Sequence, residues 1–249
     1  MAMRLLAAAE TDVGLRRRVN EDRYALSPEL RFYVVADGMG GHTAGQVASG
    51  LAVEAAIAAV SALEEASASL AEKCRYAVSS ANRSIYDTAV AKPEYAGMGT
   101  TLVALLVDKD RAALAHVGDS RAYRVRQGSI RQLTDDHSIV ADLVRRQEIS
   151  EDDAREHPHR HVLTRALGVR RNVEPDLAEV TLATGDIFVL CSDGLTTHVE
   201  DHEIEKLVAE HCARAEPNPT FACEKLIELA NARGGEDNIT VMIALCAED

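Results

Sequence analysis

Aromatic residues are almost missing from this chain of 249 residues, which has no Trp and only three Phe. Its interior therefore has to be built from Ala, Val, Leu and Ile. Net positive charge is missing as well: 27 Lys and Arg face 40 Asp and Glu, a formal net charge of −13. That argues against nucleic acid as the main partner, since such binding rests on cations that neutralise phosphates. An anionic substrate would need positive charge supplied locally by the site. No two of the cysteines Cys74, Cys191, Cys212, Cys223 and Cys246 form a Cys-x-x-Cys pair, and their number is odd. Neither a disulfide framework nor a zinc ribbon is indicated, and reduced, buried thiols in a cytoplasmic protein are expected. No run approaches the ~18 consecutive apolar residues of a membrane span, so no membrane partner is expected. The apolar start, Met1 to Ala9, is short and meets Glu10-Thr11-Asp12 at once, which reads as a first strand rather than a signal peptide. Nucleotide-binding loops are absent too. Thr43 stands where a dinucleotide fingerprint needs Gly, and no Gly-Lys-Ser/Thr occurs. Ser192 lacks the Gly-x-Ser-x-Gly elbow of a nucleophile.

What is present is ordinary globular material, 47% hydrophobic and 27% charged. A chain of this length buries roughly 70–75% of its unfolded surface without staples. The apolar run 31–36 reads as a strand. Apolar spacing from Thr43 to about Glu65, and again over roughly 67–91, predicts two helices with one buried face each, the second ended by Lys92-Pro93. Short strands follow at 100–107, 112–117 and 121–126, separated by polar turns, which argues for antiparallel pairing. Residues 135–172 are polar with little strand character: a helix at 138–147, an acidic run, then His157-Pro158-His159-Arg160-His161. Strands resume at 177–182 and 186–191. Helices are expected at 201–211 and 219–232, the latter with Asn218 as N-cap and Pro219 in its first turn, and a last strand covers 239–245. No repeat or low-complexity linker divides the chain, so 1–249 reads as one domain with helices layered on sheet.

The recurring feature is a carboxylate at the end of an apolar strand. It occurs in Val35-Ala36-Asp37-Gly38, Val117-Gly118-Asp119 and Cys191-Ser192-Asp193-Gly194, and in reverse in Asp237-Asn238 entering Ile239. Each one alone is explained as a turn former; together they suggest convergence at one end of a sheet sandwich. Clustered carboxylates repel unless a cation neutralises them, and an all-oxygen set selects Mg²⁺ or Mn²⁺ over zinc. Phosphate chemistry on such ions would add an Arg fork for the non-bridging oxygens and a group near neutral pKa, such as His, for the leaving alkoxide. Arg16-Arg17-Arg18 could supply the fork or be only a solvated turn.

The ordered motifs Gly14-Leu15, Arg17, Asn20-Glu21-Asp22, Asp37-Gly38-Met39-Gly40-Gly41-His42, Gly99-Thr100-Thr101, Gly118-Asp119-Ser120-Arg121, Ser192-Asp193-Gly194 and Glu236-Asp237-Asn238 closely resemble the bacterial metal-dependent Ser/Thr phosphatases of the protein phosphatase 2C family. The resemblance spans about residues 5 to 246. It implies an α+β fold, a four-layer α-β-β-α sandwich of two antiparallel sheets flanked by helix pairs, with a flap beside the active site at about 135–172. It implies hydrolysis of phosphoserine and phosphothreonine in proteins by a hydroxide bridging two Mn²⁺ or Mg²⁺ ions. In that scheme Asp37 bridges the ions, Gly38 offers its carbonyl, Asp193 and Asp237 complete the protein ligands, and Asp119 with Asp193 holds a possible third ion. Glu21 and Asp22 act through waters, Asn238 orients the site, Arg17 binds phosphate, and His42, returned by the Gly40-Gly41 turn, is the general acid. Expected partners are phosphorylated proteins, with a cognate Hanks-type kinase and its substrates, and a monomer is expected. The family often has Asn where this chain has His161. The alternation His157, His159, His161 could mimic a metal site but has no acidic partner at matching spacing. Two other classes remain for comparison. One is a catalytically idle phosphoprotein-binding module, which missing ligands would mark. The other is a metal-dependent phosphodiesterase, which the acidic balance and scarcity of stacking aromatics disfavour.

Overall fold

The structure, a computed structural model, describes residues 3–40, 44–64 and 66–247. Two five-stranded antiparallel sheets lie face to face. One has the order β1-β12-β11-β8-β9 and is made of β1 (Arg4–Asp12), β8 (Arg121–Arg126), β9 (Ser129–Gln132), β11 (Ile187–Cys191) and β12 (Ile239–Ala247). The other, in the order β10-β7-β6-β3-β2, contains β2 (Arg23–Ser27), β3 (Phe32–Ala36), β6 (Leu102–Asp108), β7 (Arg111–Val117) and β10 (Asp176–Thr181). A two-residue ribbon joins β4 (Gly38–Met39) to β5 (Gly99–Thr100).

The continuous apolar run of β3 is explained by burial on both faces. Tyr33 and Val35 point between the sheets, where they meet Leu105, Leu114, Phe188, Leu190 and Met242. Phe32, Val34 and Ala36 point the other way, onto α1 (Ala44–Ala62) and α2 (Leu70–Ala91). On the far side, Val189, Cys191, Val241 and Ile243 pack under α6 (Asp201–Cys212) and α7 (Pro219–Ala232). The result is the expected four-layer α-β-β-α sandwich. Ala44, Ala48, Ala52 and Ala56 are buried along α1, and small side chains at that spacing let helix and sheet approach closely. By length and apolar composition α1 could cross a membrane, but half of its apolar window is buried inside the fold. The expected cap is in place: Asn218 accepts from the Phe221 N–H with Pro219 opening the helix. The structure adds a capping box of Ser69 and Glu72 before α2.

Strand register brings the carboxylate-bearing ends together. Val35 lies opposite Val103 and Leu102 opposite Val117 in one sheet, while Cys191 faces Val241 and Asp12 faces Ile239 in the other. Asp37 and Asp119 therefore leave one sheet, and Asp193 and Asp237 the other, at the same end of the sandwich. The excursion carries two short helices, α3 (Ile139–Arg145) and α4 (Glu151–Glu156), the second of which the sequence reading takes only as an acidic run. It is rooted where the Ile139 N–H donates to the Val162 carbonyl and the Thr164 N–H to that of His137. The short α5 (Asp193–Thr196) starts directly from β11.

Candidate metal centre

At that end of the sandwich a cleft of about 510 Å³ is lined by Glu21, Asp37, Asp119, Asp193 and Asp237, with Arg17 at its edge. Gly38 lines it as well. The backbone of Asp37 is held on both sides: its N–H donates to Thr101 Oγ1 at 3.0 Å, and its carbonyl accepts from the Thr101 N–H at 2.8 Å and from Thr100 Oγ1 at 2.7 Å. Thr101 Oγ1 also meets Ser120 Oγ at 2.7 Å, so one threonine ties the Asp37 corner to the Asp119 corner. Gly38 has no room for a side chain, because a Cβ there would stand 2.2 Å from the Gly45 carbonyl oxygen and 2.6 Å from that of Glu21.

Behind the cleft wall sits Asp22, buried between the sheets' ends. Its Oδ2 accepts from Ser192 Oγ and Thr240 Oγ1, each at 2.7 Å, while its Oδ1 has no partner. Ser192, dismissed as a nucleophile, thus has a structural task. Asn238 is engaged at every polar atom of its side chain: Oδ1 accepts from the Glu21 N–H at 2.8 Å, and Nδ2 donates to the carbonyls of Val13 and Val19 at 2.9 and 3.0 Å. It clamps the 13–21 loop that carries Arg17. Arg17 Nη2 donates to Asp237 Oδ2 at 2.7 Å. Asp119 is followed by Arg121, whose guanidinium binds Asp136 bidentately at 2.7–3.1 Å.

The electrostatics are those of an unneutralised acidic cluster. Burial, followed by repulsion from Asp22, Asp193, Asp119 and Asp237, raises the Asp37 carboxyl well above its ordinary range. Asp119 is raised by burial and then by Asp193, and Asp237 by the same two causes in the same order. Burial also raises Glu21 and pushes Asp22 up to about 7. Buried carboxylates normally find a partner, yet Glu21 Oε1, Asp22 Oδ1 and Asp193 Oδ1 have none. An all-oxygen donor set with orphaned, mutually repelling carboxylates fits hard divalent cations. His42, with Gly41 and Thr43, lies outside the described residues.

A second group of ligand-type side chains is of another kind. His116, His137 and Asp176 bring their donor atoms within 4.8 Å of one another, but the two imidazoles are stacked, with centroids 4.3 Å apart and planes 20° from parallel. Lone pairs lie in the ring planes, so near-parallel rings cannot aim at one ion. His137 Nδ1 accepts the Gly118 N–H at 3.0 Å, and its Nε2 lies 3.2 Å from Asp176 Oδ2 without the alignment of a hydrogen bond. The group fastens the root of the excursion to β7 and β10. Burial lowers both imidazoles, His116 to about 4.

Sequence reasoning missed Thr101, Ser192 and Thr240 as supports, although each hydroxyl stands next to, or one strand over from, a predicted ligand. It also left His161 aside, and the structure puts His161 on the cleft wall.

A sandwich of this architecture, ending in a carboxylate cleft with an Arg beside it, defines a metal-dependent phosphate hydrolase. Residues 15–239 match the family described as Protein phosphatase 2C. The chain belongs to that family, the metal-dependent Ser/Thr protein phosphatases. It is 40% identical over 245 residues to a protein named Serine/threonine phosphatase stp from Listeria welshimeri, covering 95% of this chain and 94% of that one. It is also 40% identical over 239 residues to the Serine/threonine protein phosphatase PstP of Mycobacterium tuberculosis, covering 95% of this chain but 44% of that longer protein. Among solved structures, the M. tuberculosis phosphatase PstP/Ppp superposes with a TM-score of 0.87 at 39% identity, covering 98% of this chain and 99% of the other. The PstP catalytic domain in complex with two manganese ions gives 0.86 at 37% identity, with 99% and 100% covered.

Proposed function

We propose that residues 1–249 act as one catalytic unit that removes phosphate from phosphoserine and phosphothreonine in proteins, with Asp37, the Gly38 carbonyl, Asp193 and Asp237 holding two Mn²⁺ or Mg²⁺ ions and Asp119 with Asp193 a third. The observation that carries this reading is the convergence of orphaned carboxylate oxygens and one guanidinium in a single cleft. Bound there, the ions would neutralise the carboxylates and supply the Lewis acidity that activates water and stabilises in-line displacement at phosphorus.

The chain's own residues do the rest. Arg17, on a loop clamped by Asn238, presents a planar fork to the non-bridging phosphate oxygens. Its present bond to Asp237 aims the guanidinium into the cleft mouth. Asp22 sets the charge at the floor, and Glu21 lies between Arg17 and the N–H groups of Gly45 and Gln46 at the start of α1. Thr101 keeps the Asp37 and Asp119 corners at a fixed separation. His42 is proposed to protonate the leaving serine or threonine oxygen. A monomer in the cytoplasm, acting on a Ser/Thr kinase and that kinase's substrates, is the setting this reading implies.

The test is hydrolysis of a phosphothreonine peptide with Mn²⁺ and with EDTA. Wild type should turn over only with the metal, and Asp37→Asn or Asp193→Asn should each lose at least about 100-fold, equivalent to ~2.7 kcal/mol of transition-state stabilisation. Retained Mn²⁺-dependent activity in either variant would show the ligand assignment to be wrong. In the same assay His42→Ala should slow the phosphopeptide more than an activated aryl phosphate, and equal losses would remove its role as general acid.

A further inference from the structure

The longest run of cations in the chain is Arg16-Arg17-Arg18, and only its middle residue has a place in the proposed mechanism. The loop that carries the run is not a free turn. One side chain clamps both of its ends, since Asn238 Nδ2 donates to the carbonyls of Val13 and Val19. Between the clamps the Leu15 N–H donates to the Gly235 carbonyl at 2.7 Å. Gly14, at φ +77°, lies so close to the same backbone that a Cβ there would run into the Asp237 carbonyl oxygen. The tip is nonetheless exposed at every residue from Leu15 to Val19. Residues 13–20 hold three positive charges and no negative one. Arg17 is drawn to the cleft by its 2.7 Å bond to Asp237. Among the described residues that is the only ion pair of the run, and Arg16 and Arg18 make no side-chain hydrogen bond. In a chain with 40 carboxylates to 27 Lys and Arg, two guanidiniums beside the cleft are thus left free for an anion from outside.

We infer that Arg16 and Arg18 form a cationic lip that selects substrates by anionic groups flanking the target residue, whether acidic side chains or further phosphorylated ones. The inference rests on the phosphatase reading above and names the sequence context its cleft takes. Residues of an extended peptide follow one another at ~3.3–3.6 Å. With Arg17 on the target phosphate, the immediate neighbours of that residue therefore pass over the tip. Arginine suits the task because its planar fork takes carboxylate and phosphate bidentately. The tip is held in place before substrate arrives, so little ordering cost falls on binding. The lip also gives an acidic peptide a point of attraction on a molecule of net charge −13.

The experiment measures kcat and KM of the full chain with Mn²⁺ on phosphothreonine peptides whose flanking positions are neutral, Glu, Lys or a second phosphothreonine, at low and high salt. Wild type should favour the Glu and doubly phosphorylated peptides over the neutral one through a lower KM at similar kcat, and salt should shrink the gain. The double variant Arg16→Gln, Arg18→Gln should lose that gain, about three- to tenfold in KM, the scale of two exposed charge pairs. Its constants on the neutral peptide should stay those of wild type. A charge-matched control, Lys109→Gln with Lys206→Gln, replaces two exposed lysines that do not line the cleft and should keep the preference. A gain confined to the doubly phosphorylated peptide and lost in the arginine variant would assign the lip to clustered phosphosites. Equal KM values for neutral and anionic peptides in wild type, a preference that survives the arginine variant, or a loss shared by the neutral peptide or by the lysine control would overturn the inference alone. No Mn²⁺-dependent turnover of any peptide would overturn the phosphatase reading and this inference with it.

Discussion

Asp22 is a carboxylate enclosed between strand ends, with two hydroxyls on one oxygen and nothing on the other. Its carboxyl is raised from 3.8 to about 7, chiefly by burial. A group raised in this way binds more protons in the folded state, so between about pH 4 and 7 the metal-free protein loses stability as pH rises through that window. Asp22→Asn removes the liability while keeping an acceptor for Ser192 and Thr240. In chelator at pH 8 it should melt above wild type, and the gap should close toward pH 4. Each kcal/mol corresponds to about 2–4 °C for a chain of this size. Adding Mn²⁺ should reverse the order at pH 8, because wild type alone then gains the full binding free energy. A variant that melts below wild type at pH 8 in chelator would show Asp22 to be stabilising by itself. At this scale the positions of the candidate ligands were legible, since Asp37, Asp119, Asp193 and Asp237 each stand at the end of an apolar run. The approach of His161 Nδ1 to within 3.9 Å of Asp193 Oδ2 was not: the two residues lie on separate elements, and only the return of the excursion over the cleft brings them together.

At the scale of elements, legibility followed burial. β3, β6, β7, β11 and β12 are buried almost throughout and announce themselves as apolar runs. Among the sheet edges, β1 and β10 carry enough apolar residues to be read as strands, whereas β2 and β9, with no buried face, read as polar chain. The same holds for α4, Glu151–Glu156, which buries no residue and is marked only by the Ser150–Asp153 capping box. The link between helix layer and excursion was equally hidden. Asn82, buried on α2, donates to the carbonyls of Arg170 and Arg171 at 3.0 Å each and accepts from the Gly168 N–H at 2.8 Å. It fixes the segment that returns past Thr100, where the Leu167 N–H donates to the Thr100 carbonyl at 2.9 Å. Asn82→Ala leaves these backbone groups without their partner and should cost about 1–3 kcal/mol. It should also speed hydrogen exchange at Gly168. A melt and exchange rate equal to wild type would mean that the return segment is held by other contacts.

The whole molecule is an acidic sandwich that concentrates its carboxylates at one end. With a formal net charge of −13, its general surface repels an anionic substrate, so the proposed reading has that substrate met in the cleft, by bound cations and Arg17. The two sheets give this end its rigidity: carboxylates from one sheet face carboxylates from the other across a packed core, and the excursion closes one side with His161. The direct test of the centre is to count ions by equilibrium dialysis against Mn²⁺ for wild type and Asp37→Asn at the same free concentration. Wild type should bind two or more ions per chain and Asp37→Asn at most one, because the shared carboxylate is gone. Equal uptake by the two would contradict a metal centre bridged by Asp37.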